Sequence, residues 1–197
     1  MYYAKEKLEE VIKILKNGGI GVMPTDTIYG VVASVWNEKS VEKIFEIKNR
    51  DRKKALIVLI SEIKDLEIFG VKIDLKTKSF LQKIWPGPVS VIFPVSSKWS
   101  YIDRGIGKIA FRLPSLEWLR EFIKMSGPIV APSANSEGEK PAENIIEAQK
   151  YFGNKVDFYL DGGNLKGEPS SVVEFVNGEV EVVRGREELL FKKTFAG

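Results

Sequence analysis

Pro24-Thr25-Asp26-Thr27-Ile28-Tyr29-Gly30 places two hydroxyls and a carboxylate directly behind a short apolar run, Ile20 to Met23. A run of that length reads as a buried strand, and small polar residues at a strand end open into the crevice beside the sheet. Lys48-Asn49-Arg50, with Lys54 beyond, closes a helical pattern with fixed cations that can bracket a phosphate chain or a carboxylate. Ser133-Ala134-Asn135 follows a second apolar run, Pro128 to Ala131. Alternation along Lys108-Ile109-Ala110-Phe111-Arg112 puts both charges and Ala110 on one strand face, where an arginine either pairs a carboxylate or binds an anionic ligand. Hydroxyls, cations and amides gathered at strand ends are what holds an amino acid beside a nucleotide's phosphates. Each cluster alone has a plainer explanation: a capped turn at 24–27, a solvated helix end at 43–54, a helix-capping turn at 133–135. Only the ordered set points to a site.

Composition removes most other chemistries. The chain has no histidine and no cysteine. Ser-His-Asp and Cys-His catalysis, thiolate zinc sites and disulfide frameworks are therefore excluded. Catalysis must run through carboxylates, lysines, hydroxyls, backbone amides or a hard cation such as Mg²⁺. The net charge of +3, from 30 basic and 27 acidic residues, is too balanced to argue for nucleic-acid binding by itself. Neither common nucleotide loop occurs; Gly105-Ile106-Gly107-Lys108 has the wrong spacing and reads as a plain turn.

The elements that must position these residues follow from periodicity. Leu8, Val11, Ile12 and Leu15 mark a first helix stopped by Asn17-Gly18-Gly19. A second helix starts after Asn37, and Ala55–Ile60 is a buried strand. Ser61 caps a short helix ending near Gly70, and Leu75–Trp85 is another, stopped by Pro86-Gly87-Pro88. Val89–Val95 and Lys108–Leu113 are strands, and Ser115 caps the helix carrying Leu116, Leu119 and Ile123. Ile129–Ala131 and Phe158–Leu160 are strands around a helix over Glu143–Phe152. Asn177-Gly178 turns a hairpin between Ser171–Val176 and Glu179–Val183, and a last helix spans Glu187–Lys193.

Alternating strands and helices with one clear hairpin predict an α/β fold: a twisted, mixed β-sheet flanked by helices. No linker divides the 197 residues, which are expected to form one domain with a core at about 8–190 and a concave basic cavity. The N-terminus lacks an apolar signal region, and no stretch approaches 18 apolar residues, so the expectation is a cytoplasmic protein without a membrane span.

Taken together, the 24–30 segment, Lys48-x-Arg50, Trp85-Pro86-Gly87-Pro88, Phe111-Arg112-Leu113-Pro114, Ala131-Pro132-Ser133-Ala134-Asn135, Pro169-Ser170-Ser171-Val172-Val173 and Val183-Arg184 resemble the YrdC-like family of threonylcarbamoyl-AMP synthases in its short, single-domain form. The resemblance implies condensation of L-threonine, bicarbonate and ATP to threonylcarbamoyl-AMP and pyrophosphate. A separate transferase then moves the threonylcarbamoyl group onto adenosine 37 of tRNA. By matched position, Thr27, Arg112, Ala131 and Ser170 would contact threonine, with Arg112 at its carboxylate. Arg50, Lys54, Ser133, Asn135 and Arg184 would contact ATP, Lys48 and Arg50 would be the catalytic cations, and Mg²⁺ would accompany ATP without a dedicated protein cage. The chain also departs from the family pattern. Asp51 stands where many relatives have proline, Leu59 at a histidine position and Lys108 at a threonine position. Ser136-Glu137-Gly138-Glu139-Lys140-Pro141 replaces a Ser-Gly segment and a nucleotide-contacting hydroxyl. The competing reading is a non-catalytic module that holds tRNA or double-stranded RNA in the same basic cavity through phosphate contacts. A carbamoyl-adenylate activity of the hydrogenase-maturation kind is expected to rank below both, because these 197 residues hold neither an acylphosphatase nor a zinc-finger module of the kind those proteins carry.

Overall fold

Apolar residues at helical spacing and apolar runs of strand length fold here into two helical layers around one sheet. The computed structural model describes residues 2–3, 7–176 and 179–185. A short strand, β1 (Tyr2–Tyr3), precedes α1 (Leu8–Lys16), which buries Val11, Ile12 and Leu15. β2 (Gly21–Pro24) and β3 (Tyr29–Ser34) form an antiparallel hairpin. It leads into α2 (Glu38–Ile47), whose first turn is capped by Asn37 Oδ1 accepting from Ser40 N–H at 3.0 Å. β4 (Ile57–Leu59), a 3-10 helix (Ile63–Phe69), α3 (Leu75–Ile84) and β5 (Val89–Pro94) follow. A 3-10 turn (Ser97–Trp99) and α4 (Ser100–Asp103) lead to β6 (Lys108–Arg112). The chain continues through α5 (Glu117–Ser126), β7 (Ile129–Val130), α6 (Ile145–Phe152), β8 (Phe158–Leu160), β9 (Ser171–Val176) and β10 (Glu179–Arg184).

The described strands join one mixed sheet in the order β1-β8-β2-β3-β7-β4-β6-β5-β9-β10. Alternation along each strand divides the apolar side chains between two cores. One face carries Val22, Val31, Val58, Val91 and Phe111 beneath α2, α3, α4 and α6, with Phe69 stacked between Trp99 and Phe111 at centroid distances of 4.6 and 4.7 Å. The other carries Met23, Val32, Leu59, Ile129 and Phe158 beneath α1 and α5, which add Leu15, Leu119 and Phe122. Each such fully buried side chain contributes roughly 1.5–3 kcal/mol relative to exposure. Ile57 and Ala131 lie at the margin of this second core and are only partly buried. Beyond them the sheet face is uncovered, and there the polar strand residues collect.

Several local expectations change. β3 was not anticipated: Tyr29–Ser34 is buried on both faces, so it lacks the alternation that announces a strand. Segment 24–30 is thereby the turn of a hairpin rather than an open strand end. Ser61 caps no α-helix; Asp65 Oδ2 instead accepts from Ser61 N–H, Ser61 Oγ and Glu62 N–H, tightening the segment into a 3-10 helix. Nor does Ser115 cap α5: Leu116 stands at the N-cap position, with no side-chain cap hydrogen bond, and the Ser115 N–H is given to Asp26 Oδ2 at 3.1 Å. Val176 and Glu179 pair as the hairpin requires. The Asn177-Gly178 turn and the 187–193 helix lie outside the described residues.

Candidate active site

Thr25 folds the β2–β3 turn onto itself. Its Oγ1 donates to Ile28 O at 2.7 Å and accepts from Thr27 N–H at 3.2 Å. Because that proton is already given, the 3.1 Å contact between the two threonine hydroxyls must have Thr27 as donor. The Thr27 lone pairs are then left to accept. Gly30 lets the 131–133 segment come close: a Cβ there would stand 3.3 Å from Pro132 O, while Val31 N–H donates to Pro132 O and Ala134 N–H to Tyr29 O.

Arg112 ends β6 on this uncovered face and is almost fully buried. Its Nη2 lies 3.0 Å from Asp26 Oδ1 and donates to Thr25 Oγ1 at 3.3 Å. Burial pushes the guanidinium down from its ordinary value and the Asp26 charge holds it up, so it stays a cation. Its Nε, also buried, has no hydrogen-bond partner among the described residues. A buried donor without an acceptor costs about 1–3 kcal/mol.

The Lys48-Asn49-Arg50 motif is a helix C-terminus. Asn49 takes the left-handed conformation (φ 49°), Asn49 N–H donates to Glu46 O at 3.2 Å and Arg50 N–H to Phe45 O at 3.0 Å. This is the Schellman arrangement, and it turns the chain so that Arg50 faces the cleft. Asn49→Gly is expected to fold as the wild type, and Asn49→Val to lose about 1–2 kcal/mol, the left-handed penalty. Urea denaturation of the two variants reads the difference, and equal stability would refute the account.

Lys48 points the other way. Its ammonium is buried and donates to Ser133 O and Asn135 O, each at 2.5 Å. Asn135 Nδ2 in turn donates to Ser136 O at 2.8 Å and Glu139 O at 2.7 Å, closing the 136–139 turn. Burial first, and the like charge of Arg50 second, push Lys48 down to about 7, with Glu137 acting in the opposite sense. An unfolded lysine titrates near 10.4, so between the two values the unfolded chain binds more protons than the folded one. Stability conferred at Lys48 therefore rises as pH increases from about 7 towards 10. Thermal melts should show the wild type gaining on Lys48→Met across that window, and parallel pH profiles would contradict it.

The remaining wall comes from the C-terminal strands. Ser170 Oγ lies 3.0 Å from Ser90 Oγ of β5. A β-bulge between Val182 and Arg184 brings Arg184 opposite Val172, and its guanidinium donates to Ser170 O at 3.3 Å. Two contacts pin the preceding loop. The Tyr29 hydroxyl donates to Gly163 O and accepts from Gly162 N–H, at 2.8 and 2.9 Å. Gly167 lies flat on the Thr27 carbonyl, where a Cβ would come within 1.8 Å.

These pieces enclose a cleft of about 100 Å³ lined by Thr25, Thr27, Arg50, Ile57, Arg112, Ala131, Ser133, Pro169, Ser170 and Arg184. A wider groove of about 430 Å³ continues from it past Arg50, Ile57 and Arg184 towards Ile92, Ile106, Lys108 and Val172. Of the residues singled out in the sequence, Thr27, Arg50, Arg112, Ala131, Ser133, Ser170 and Arg184 meet in one place. Lys48, Lys54 and Asn135 do not line the cleft: Lys48 and Asn135 are struts behind it, and Lys54 pairs with Glu137 outside it. Leu59 is buried in the second core. Asp26, as the Arg112 partner, and Tyr29 and Gly167, as the pins of the 162–170 loop, went unassigned in the sequence. Asp26 and Tyr29 lie inside the quoted motif, whereas nothing marked Gly167.

The Sua5/YciO/YrdC family model, described as telomere recombination, matches residues 13–185. The chain is similar to the threonylcarbamoyl-AMP synthase of Coxiella burnetii, 31% identical over 180 residues, which is 89% of this chain and 96% of that one. The threonylcarbamoyl-AMP synthase of Pyrococcus abyssi is 31% identical over 178 residues, 86% of this chain and 52% of the relative. The crystal structure of P. abyssi Sua5 complexed with L-threonine superposes with a TM-score of 0.86 at 27% identity, over 93% of this chain and 56% of that one. The chain thus spans about half the length of the Pyrococcus protein that it matches.

Proposed function

The chain belongs to the Sua5/YciO/YrdC family, and from that premise we propose that it is an L-threonylcarbamoyladenylate synthase, condensing L-threonine, bicarbonate and ATP to threonylcarbamoyl-AMP and pyrophosphate. The observation that carries this reading is Arg112: a buried guanidinium, held by Asp26 and Thr25, that lines a cleft sized for a small molecule and rimmed by two further arginines. The threonine carboxylate accepts from Arg112, and the Thr27 hydroxyl, already committed as a donor to Thr25, accepts from the substrate nitrogen. Ala131, Ser170 and Ile57 close around the side chain.

A nucleotide is too large for the cleft alone. ATP is assigned to the adjoining groove, with its phosphates at Arg50, Lys54 and Arg184 and Ser133 beside them. Bicarbonate and the threonine amine form a carbamate with loss of water, and a carbamate oxygen attacks the α-phosphate, breaking its bond to the bridging oxygen so that pyrophosphate leaves. The protein's part is to align anions and neutralise charge, and alignment of this kind is worth about 7–11 kcal/mol in favourable cases. Arg50 is the cation nearest that chemistry; Lys48 serves by holding Ser133 and the 136–139 turn in place. Among the described residues no group of three or more carboxylate, histidine or cysteine side chains gathers to hold a metal, so Mg²⁺ is taken to arrive on the ATP phosphates, where it supplies charge neutralisation. The product passes to a tRNA threonylcarbamoyl transferase, which places the work in the cytoplasm. Among the described residues no helix is long and apolar enough to cross a membrane.

The deciding measurement is pyrophosphate release from Mg-ATP with threonine and bicarbonate omitted in turn. Release that requires both, together with a threonylcarbamoyl-AMP mass, is the expected result. Release with neither, or none under any condition, overturns the reading.

A further inference from the structure

The turn after Asn135 brings a carboxylate into the cations that this reading gives to ATP. Gly138 adopts a left-handed φ of 88°, Glu139 N–H donates to Ser136 O at 3.1 Å, and Asn135 Nδ2 holds both ends of the turn. Glu137 is thereby set against the terminus of α2, its own N–H donating to Lys48 O at 2.9 Å. Its Oε2 accepts from Asp51 N–H at 2.5 Å and its Oε1 from Lys54 Nζ. The Arg50 guanidinium feels the same negative charge.

A backbone N–H just past a helix end, an ammonium and a nearby guanidinium make up the donor set of a phosphate site. A carboxylate with two accepting oxygens is an imperfect copy of a phosphate: it carries one charge where a di- or triphosphate carries several. Lys54 and Glu137 are both partly exposed, so their contact is weak enough to be exchanged.

Resting on the synthase reading, we propose that Glu137 is an internal anion that occupies the polyphosphate position of the ligand-free protein, and that ATP binds by displacing it. Glu137 is then a specificity-setting residue. A triphosphate or diphosphate carries enough charge to take Asp51 N–H and Lys54 from it beside Arg50, whose guanidinium donates to Lys54 O and Ala55 O, whereas a monophosphate, with about two charges, gains less from the exchange. Displacement costs affinity, so Glu137 weakens the binding of every polyphosphate and helps pyrophosphate leave, because the carboxylate returns to the same donors. The rest of the turn stays in place, since Asn135 and the Glu137 N–H hold it independently of the carboxylate.

The test is calorimetric titration of inorganic tripolyphosphate into the full chain, wild type and E137Q, beside steady-state kinetics of both. E137Q is expected to bind tripolyphosphate about three- to tenfold more tightly, the scale of one exposed ion pair with one charge-assisted hydrogen bond. The KM for ATP should fall by the same factor, while the KM for threonine and the melting temperature stay unchanged. In a Lys54→Met background the gain from E137Q should shrink, because the contested donor is gone. Weaker or equal tripolyphosphate binding by E137Q in an active enzyme overturns the displacement while leaving the synthase reading intact. A wild type that neither releases pyrophosphate nor binds tripolyphosphate overturns both. Should E137Q fold poorly, Glu137→Ser removes the same charge and takes its place.

Discussion

Arg112→Lys is expected to raise the KM for threonine at least about tenfold and to leave the KM for ATP within about twofold, whereas Arg112→Ala should damage the fold itself. The two outcomes differ because Arg112 has two partners. One is Asp26, whose side chain is fully buried. Removing the guanidinium leaves that carboxylate without its counter-charge, a loss of about 3–5 kcal/mol and a large part of the stability of an ordinary domain. Lysine keeps a positive charge for Asp26 but has no second nitrogen in a fixed plane to offer a ligand carboxylate. A charge-assisted hydrogen bond is worth about 1.5–3 kcal/mol, hence the tenfold floor. Denaturant melts separate the stability effect, and threonine and ATP titrations separate the substrates. An Arg112→Lys enzyme with normal threonine dependence, or one impaired equally towards both substrates, would remove Arg112 from the threonine site.

The second large effect is expected at a residue without functional groups. Gly167→Ala places a Cβ 1.8 Å from the Thr27 carbonyl oxygen and 2.9 Å from its carbon. Both are backbone atoms, so no rotamer relieves the conflict; either the 162–170 loop lifts or the 25–28 turn shifts. Overpacking of this kind costs about 1–3 kcal/mol. The functional loss is larger, since Thr27, whose carbonyl the Cβ would meet, and Ser170, three residues after Gly167, both line the cleft. Threonine binding should fall well beyond tenfold. Gly163→Ala is the comparison: its φ of 72° is left-handed but its surroundings are open, so it should lose only about 1–2 kcal/mol of stability and keep threonine affinity. Equal threonine binding by both variants in calorimetry would show that the Gly167 contact does not shape the site.

These cases show what could be read from the chain beforehand. Arg50, Arg112 and Ser133 could be singled out as cations and a hydroxyl near the ends of apolar or helical runs, with roles that only the family resemblance implied, and the structure brings all three to one cleft. What escaped was whatever depends on a partner distant in sequence. Asp26 is a turn residue until β6 delivers Arg112 to it. Lys48 has the same formula as Arg50 two residues on, yet the left-handed Asn49 sends one inward and the other to the cleft. The Arg184 bulge and the Gly167 contact leave no periodicity to detect. β3 was hidden by burial on both faces, which erases the alternation used to find half-buried strands.

The strand order also bears on how the molecule is made. β2 must pair with β8, β7 sits between β3 and β4, and β5 needs β9. A nascent chain that has emerged as far as β6 already carries Thr27, Arg50 and Arg112, but none of the wall later supplied by Ala131, Ser133, Ser170 and Arg184. At ribosomal speeds of about 5–20 residues per second, several seconds pass in that state. Such non-local pairing slows folding, and the open edges of β2, β3 and β4 invite association until their partners arrive. The cleft is therefore among the last features to form, and a truncated product should bind neither substrate while being the species most in need of a chaperone.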